Sequence, residues 1–343
     1  MSVKTGFKIA GISLAVIILL VILISGSILG FLYMKKSKTS KLVFISKKWN
    51  LPHLDVRLSQ VANVSSHNAF TSLSNKYIIR QQNLSIPQQL AIGVRGIQLD
   101  IRKCQDEIVL AHGSCEEDAL QRHLNSKFQL LVTELDNIAA FLEANPTEIV
   151  HVFYENYINT EDKPLLEYVI ENSKIAKFVL THEYTKNGGG NAEKLNLYKH
   201  DPKIIDIVDS GKRCIFYSPR TNKYFWNEWQ IMKQNEYSTI DKELVCQHRA
   251  ESKSKEEKYP DRKMSMFNYF VGQDPEYEAP VFQAITYIVN LNKNHSDINM
   301  FTPEILKCFT GKFPNFVNLD FVESGNAFDL VNDHNKALFE LEQ

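Results

Sequence analysis

The chain has 343 residues, 44% of them hydrophobic and 23% charged, with a formal net charge of −1. This balance excludes an intrinsically disordered protein, and the length admits two ordinary domains or one large α/β barrel with extras. Lys4, Lys8, Lys35, Lys36, Lys38 and Lys41 lie in residues 1–41 with no acid among them. Removing these six from the 39 basic residues leaves 33 against 40 acidic ones, so the remainder carries no basic bias towards nucleic acid.

Residues 9–34 form a run of 26 without a formal charge, dense in Ile, Leu and Val. Roughly 20 apolar residues cross a bilayer core, and a cleaved signal peptide has an apolar stretch of only about 7–15. The run therefore predicts one N-terminal transmembrane helix. Residues 1–8 form a short tail before it, 35–48 a basic juxtamembrane linker after it, and 49–343 the folded part. The lysines that follow the span favour a cytosolic barrel. Sequons at Asn63, Asn83 and Asn294 favour a lumenal or extracellular one. The two signals oppose each other, and the side of the membrane stays open.

Beyond the linker, strand-like and helix-like segments alternate. Strands are expected at 60–66, 96–102, 107–111, 148–155, 213–218, 281–289 and 316–322, several as near-continuous apolar runs suited to burial on both faces. Apolar residues at helical spacing predict a helix over 128–143, stopped by Asn145-Pro146. Further helices are expected at 163–171 and 302–308, with loops at 188–190 and 251–262. Such alternation predicts a parallel α/β barrel, with catalytic groups at the C-terminal strand ends. Five cysteines are present, Cys104, Cys115, Cys214, Cys246 and Cys308, and none forms a CxxC, which argues against zinc. Cys104 and Cys115 end a probable hairpin over 103–114 and could be bridged across it. Such a bridge would brace the loop carrying His112 and suit an oxidising compartment.

Two histidines stand in short strand-end motifs, Ser65-Ser66-His67-Asn68 and Ala111-His112-Gly113, around the segment Gly96-Ile97-Gln98-Leu99-Asp100-Ile101-Arg102. Two imidazoles around one guanidinium are the minimum equipment for in-line cleavage of a phosphodiester. One takes a proton from the attacking hydroxyl, the other returns one to the leaving oxygen, and the cation holds the phosphate charge.

These motifs resemble the X-domain family of phosphatidylinositol-specific phospholipases C. The resemblance is carried by Trp49, Ser66-His67-Asn68, the run from Gln88 to Arg102, Val109-Leu110-Ala111-His112-Gly113, Asn145-Pro146 and the late segment Asn315 to Val322. It implies an irregular TIM-type barrel. By resemblance His67 is the general base on the inositol 2-hydroxyl, His112 the general acid on the diacylglycerol oxygen, and Asp320 the carboxylate orienting His67. Arg102, two residues after Asp100, sits where metal-independent members hold the phosphate charge. Calcium-dependent members use oxygen ligands instead, for which Asn68, Asp100 and Glu155 are the candidates here. Gln98 stands where those members have a first Glu, and Arg102 would repel a divalent cation. The expectation is metal-free chemistry with no cofactor and calcium as the alternative, Asn68 and Glu155 then contacting substrate. The expected partners are a phosphoinositide or glycosyl-phosphatidylinositol lipid and a membrane, and no nucleic acid. A catalytically weak or inactive barrel kept as a membrane or envelope scaffold is the alternative function.

Overall fold

The computed structural model describes residues 55–77, 80–121, 127–187, 190–236, 245–270 and 299–340. The apolar span 9–34, the basic linker, the expected strand 281–289 and Asn294 lie outside the described residues. Among the described residues no helix is long and apolar enough to cross a membrane.

In chain order the strands are β1 (Asn63–Ser66), β2 (Gly96–Cys104), β3 (Glu107–Leu110), β4 (Gln129–Leu130), β5 (Val150–Asn156), β6 (Cys214–Ser218), β7 (Phe225–Asn227), β8 (Met232–Gln234), β9 (Met264–Tyr269) and β10 (Phe316–Leu319). Eight of them form one path, β7-β6-β5-β2-β1-β10-β9-β8, parallel throughout. Its two edge strands, β7 and β8, follow one another in the chain with only residues 228–231 between them. The sheet must therefore curl back on itself, as an open barrel whose seam is bridged by covalent chain. No ladder among the described residues joins β7 to β8.

The helices that position the site are α1 (Ile86–Ile92), α2 (Cys115–Gln121), α3 (Leu131–Ala144), α4 (Lys163–Glu171) and α5 (Ala327–Glu340). In α3, Leu131, Leu135, Ile138 and Leu142 recur at helical spacing and are all fully buried. Each such side chain contributes roughly 1.5–3 kcal/mol of transfer free energy. The expected helix 128–143 starts later than the periodicity implies, because Gln129 and Leu130 pair with β3 as a short strand. Helix α4 has the expected bounds. Within the expected loop 251–262 the chain instead makes one helical turn, Ala250–Ser254. Of the expected glycine turn at 188–190, only Gly190 is described, opening a short helix to Glu193.

Alternation along each strand divides the interior into two cores. Ile97, Leu99 and Ile101 of β2 face outward and join Val64, Val152, Val317 and the helices. Phe153, Ile215, Tyr217, Met266 and Phe316 form a second cluster that fills the lower lumen. Gly96 faces inward against Ser65, where a Cβ would run into the serine side chain, so strand spacing there requires glycine.

Candidate active site

Above the aromatic floor, the lumen becomes polar one layer at a time. Gln98, Asp100 and Arg102 share one face of β2, and the β2–β5 register sets Asp100 beside Glu155. Gln98 Nε2 donates to Glu155 Oε1 (2.9 Å), and Asn318 Nδ2 donates both to Gln98 Oε1 (2.8 Å) and to Asn268 Oδ1 (3.0 Å). A carboxamide donates at one end and accepts at the other, so the amides link across the lumen, with Asn318 Oδ1 buried and given no donor by the described residues.

On the strand ends, β1 and β10 are adjacent and parallel, with Ser66 paired to Leu319. The next residue of each is His67 and Asp320, and their side chains meet at 2.8 Å, Nδ1 to Oδ1. With Nδ1–H donating to a carboxylate, the free lone pair of a neutral imidazole is on Nε2. Burial pushes the Asp320 carboxyl up, while charge on His67, and then on His112, pulls it back. His112 is thus within electrostatic reach of the pair.

Two amides hold the backbone beneath this dyad. Gln82, fully buried, donates from Nε2 to the carbonyls of His67 (2.8 Å) and Leu319 (2.9 Å), and its Oε1 accepts from the Val322 N–H (3.2 Å). Asn299 Nδ2 donates to the carbonyls of Asp320 (2.8 Å) and Phe321 (3.3 Å). Phe321 has φ 50° and Asn68 φ 42°, so both dyad residues are followed by left-handed backbone. Asparagine adopts that region readily and phenylalanine does not, which makes the bonds around Phe321 a necessary restraint.

His112 reaches the site by a different route from the other groups. β3 runs antiparallel to β2, so His112 arrives on the descending arm of a hairpin rather than at the upper end of a parallel strand. Its backbone N–H donates to Asp118 Oδ1 (3.0 Å), which also accepts from the Tyr77 hydroxyl (2.5 Å). A disulfide joins Cys104, the last residue of β2, to Cys115, the first of α2, across a Cα separation of 5.8 Å. The bridge that the hairpin allowed is present and closes the loop that carries His112. A second disulfide, Cys246–Cys308, spans 62 residues and has no local sequence signal.

Glu155, Arg102 and Asp118 all act on Asp100. Burial pushes the Asp100 carboxyl well above the usual carboxylate range, reinforced by Glu155 and opposed by Arg102. Arg102 lays its guanidinium 3.8 Å above the Tyr157 ring, and the Tyr157 hydroxyl donates to Glu155 Oε2 (2.9 Å). Arg102 Nε is buried and accepted by no described residue. Beside these groups opens a cavity of about 260 Å³, lined by Gln98, Glu155, Tyr157, Glu228, Asn268 and Phe270 among others. Glu228 is 8% exposed, and burial pushes its carboxyl up to about 8.

The alternative calcium set, Asn68, Asp100 and Glu155, does not fit that ion. Calcium takes six to eight oxygens. Asn68 Oδ1 and Asp100 Oδ1 accept no hydrogen bond from described residues, but both Glu155 oxygens already accept, from Gln98 and Tyr157. Gln98 turns an amide N–H towards Glu155, and burial pushes the Asp100 carboxyl up.

Two of the three sequon asparagines are engaged within the fold. Asn63 is buried in β1 with its amide on the Asn315 carbonyl, and the Asn83 amide donates to Glu323. Gln82, Tyr157, Glu228, Phe270 and Asp118 escape a reading of the sequence. Of these only Tyr157 leaves a signal, two residues past Glu155 on the same strand course.

The PI-PLC X 1 family profile matches residues 54–335. A PI-PLC X domain-containing protein of Arabidopsis thaliana is 24% identical over 289 residues, covering 79% of this chain. The chain spans 60% of the length of that curated relative. Among solved structures, a variant of the phosphatidylinositol-specific phospholipase C of Staphylococcus aureus is 16% identical with a TM-score of 0.47, covering 78% of this chain and 88% of its own. The enzyme of the same description from Listeria monocytogenes is 15% identical with a TM-score of 0.45, covering 85% and 97%. The profile takes in the dyad, the hairpin and the arginine strand in one continuous match, and on that match the chain belongs to the PI-PLC X family.

Proposed function

We propose that the protein is a membrane-anchored phosphoric diester hydrolase that cleaves the glycerol–phosphate bond of phosphatidylinositol or a glycosyl-phosphatidylinositol. The observation that carries this reading is the His67–Asp320 pair, beside the β2–β3 hairpin that leads to His112 and the β2 strand that carries Arg102. His67 Nε2 takes the proton of the inositol 2-hydroxyl, whose oxygen attacks phosphorus to form a cyclic phosphate. His112 gives a proton to the diacylglycerol oxygen as the P–O bond breaks. Arg102, held over Tyr157, offsets the charge on the phosphoryl oxygens. Asn68 and Glu155 contact the headgroup, and Asp100 braces the phosphate side. The donor set around Gln98 supports chemistry without a metal ion.

The N-terminal apolar span is the anchor in this proposal, with the barrel on the non-cytosolic side. Two disulfides support that side, since such bonds persist in oxidising compartments and are rare in the cytosol. The test incubates the detergent-solubilised full chain with phosphatidylinositol vesicles, in calcium or in chelator, and follows inositol phosphate release. Release in chelator, abolished by His67→Ala and by His112→Ala, is the expected result. Release that needs calcium overturns the role of Arg102, and no release from any phosphoinositide or anchor lipid overturns the activity.

A further inference from the structure

The hydrogen bond to Asp320 fixes the His67 imidazole at one point, Nδ1. It does not fix rotation of the ring about the Nδ1–Oδ1 line, because a carboxylate oxygen accepts over a broad range of directions. A second contact controls that rotation. The ring of Phe270, the first residue after β9, lies flat against the imidazole, with centroids 3.6 Å apart and planes inclined by 4°. Phe270 is 5% exposed and lines the cavity beside the site, so it presents a buried face to the imidazole.

This stack is not the arrangement two neutral aromatic rings choose. Neutral pairs prefer offset or edge-to-face contact, because directly superposed faces repel. The preference reverses once one partner is a cation, since the negative face of a benzene ring attracts positive charge. A full face contact is therefore better matched to an imidazolium than to an imidazole.

We propose that Phe270 is a positioning residue for His67: its ring sets the rotation of the imidazole and favours the imidazolium formed when Nε2 accepts the substrate proton. No new covalent step is involved, as the proton passes from the attacking hydroxyl to Nε2 with or without the ring. The catalytic consequence rests on the phosphodiesterase reading given above, whereas the geometric one does not.

The test compares the full chain in detergent with its Phe270→Leu and Phe270→Tyr variants by two measurements. The first is kcat and KM on phosphatidylinositol vesicles. Leucine fills much of the volume without a π face, and kcat is expected to fall on the order of tenfold, with KM within about twofold. Tyrosine keeps the face and is expected to retain kcat. The second is NMR of histidine ring C–H groups, with His67 assigned by its loss in His67→Gln. Ring current from Phe270 places those His67 signals upfield in the parent and in Phe270→Tyr, and they are expected to move downfield in Phe270→Leu. An unchanged kcat in Phe270→Leu overturns the proposal. So does a rise in KM alone, which would make Phe270 a substrate contact, and so do His67 signals at ordinary positions in the parent. Should the parent release no inositol phosphate, the phosphodiesterase reading fails by itself, and the NMR comparison still decides whether Phe270 holds the ring.

Discussion

Replacing Gln82 with methionine keeps the length and approximate volume of a fully buried side chain while deleting its amide. Three hydrogen bonds go: Nε2 to the His67 carbonyl, Nε2 to the Leu319 carbonyl, and the Val322 N–H to Oε1. The losses are unequal. The Leu319 carbonyl still accepts from the His67 N–H at 3.0 Å. The His67 carbonyl and the Val322 N–H lose the partner described for them, and a buried backbone group without one costs about 1–3 kcal/mol. The expected destabilisation is therefore about 2–6 kcal/mol. Urea unfolding followed by tryptophan fluorescence measures it, compared with the unaltered chain at equal denaturant slope. Because both carbonyls belong to the residues that aim the dyad, kcat should fall beyond what the folded fraction explains. A stability loss under about 1 kcal/mol would refute the clamp and assign those carbonyls another partner.

Two further changes probe the polar lumen. Glu228→Gln should stabilise the protein above neutral pH and leave it unchanged near pH 4. Unfolded, the carboxyl releases its proton above about 4.5, whereas folded it keeps it up to about 8, so the unfolded state binds fewer protons in that window and stability falls as pH rises. Thermal melts of both proteins across that range check the sign, and parallel curves would show that Glu228 is ionised in the fold. Gln98→Glu removes the amide that donates to Glu155 and sets a third carboxylate beside Glu155 and Asp100. A loss of about 2–4 kcal/mol is expected at pH 7, relieved by acid or by added calcium. Melts with calcium and with chelator decide it, and equal melting temperatures for both proteins in chelator would show that the lumen tolerates the charge.

Local patterns carried much of the fold. The apolar run of β2, the bounds of α4 and the hairpin that pairs Cys104 with Cys115 all follow from residues close in sequence. Strands β7 and β8, three residues each, are too short to show a period, and their pairing depends on neighbours far along the chain. β9 alternates polar and apolar residues only weakly, because its inward side chains pass from Met266 in the apolar floor to Asn268 in the amide layer. The site divides in the same way. His67, Arg102 and His112 stand in short motifs, and Asp320 follows an apolar run. Gln82, Asn299 and Phe270 act through contacts across the barrel, which no spacing rule reports.

The dyad partners stand 253 residues apart, on the first and last strands of the barrel path in chain order. A ribosome adding roughly 5–20 residues per second therefore displays His67, Arg102 and His112 well before Asp320 exists. The ladder between β1 and β10 is also the strand pairing with the largest loop to gather among the described residues, so it is expected to form late and to leave the edge of β1 open until then. The His67–Asp320 pair and completion of the sheet thus arrive together. Under the proposed function, a nascent or C-terminally clipped chain carries His67, Arg102 and His112 without the carboxylate that pairs with His67, and such fragments should release no inositol phosphate from phosphatidylinositol.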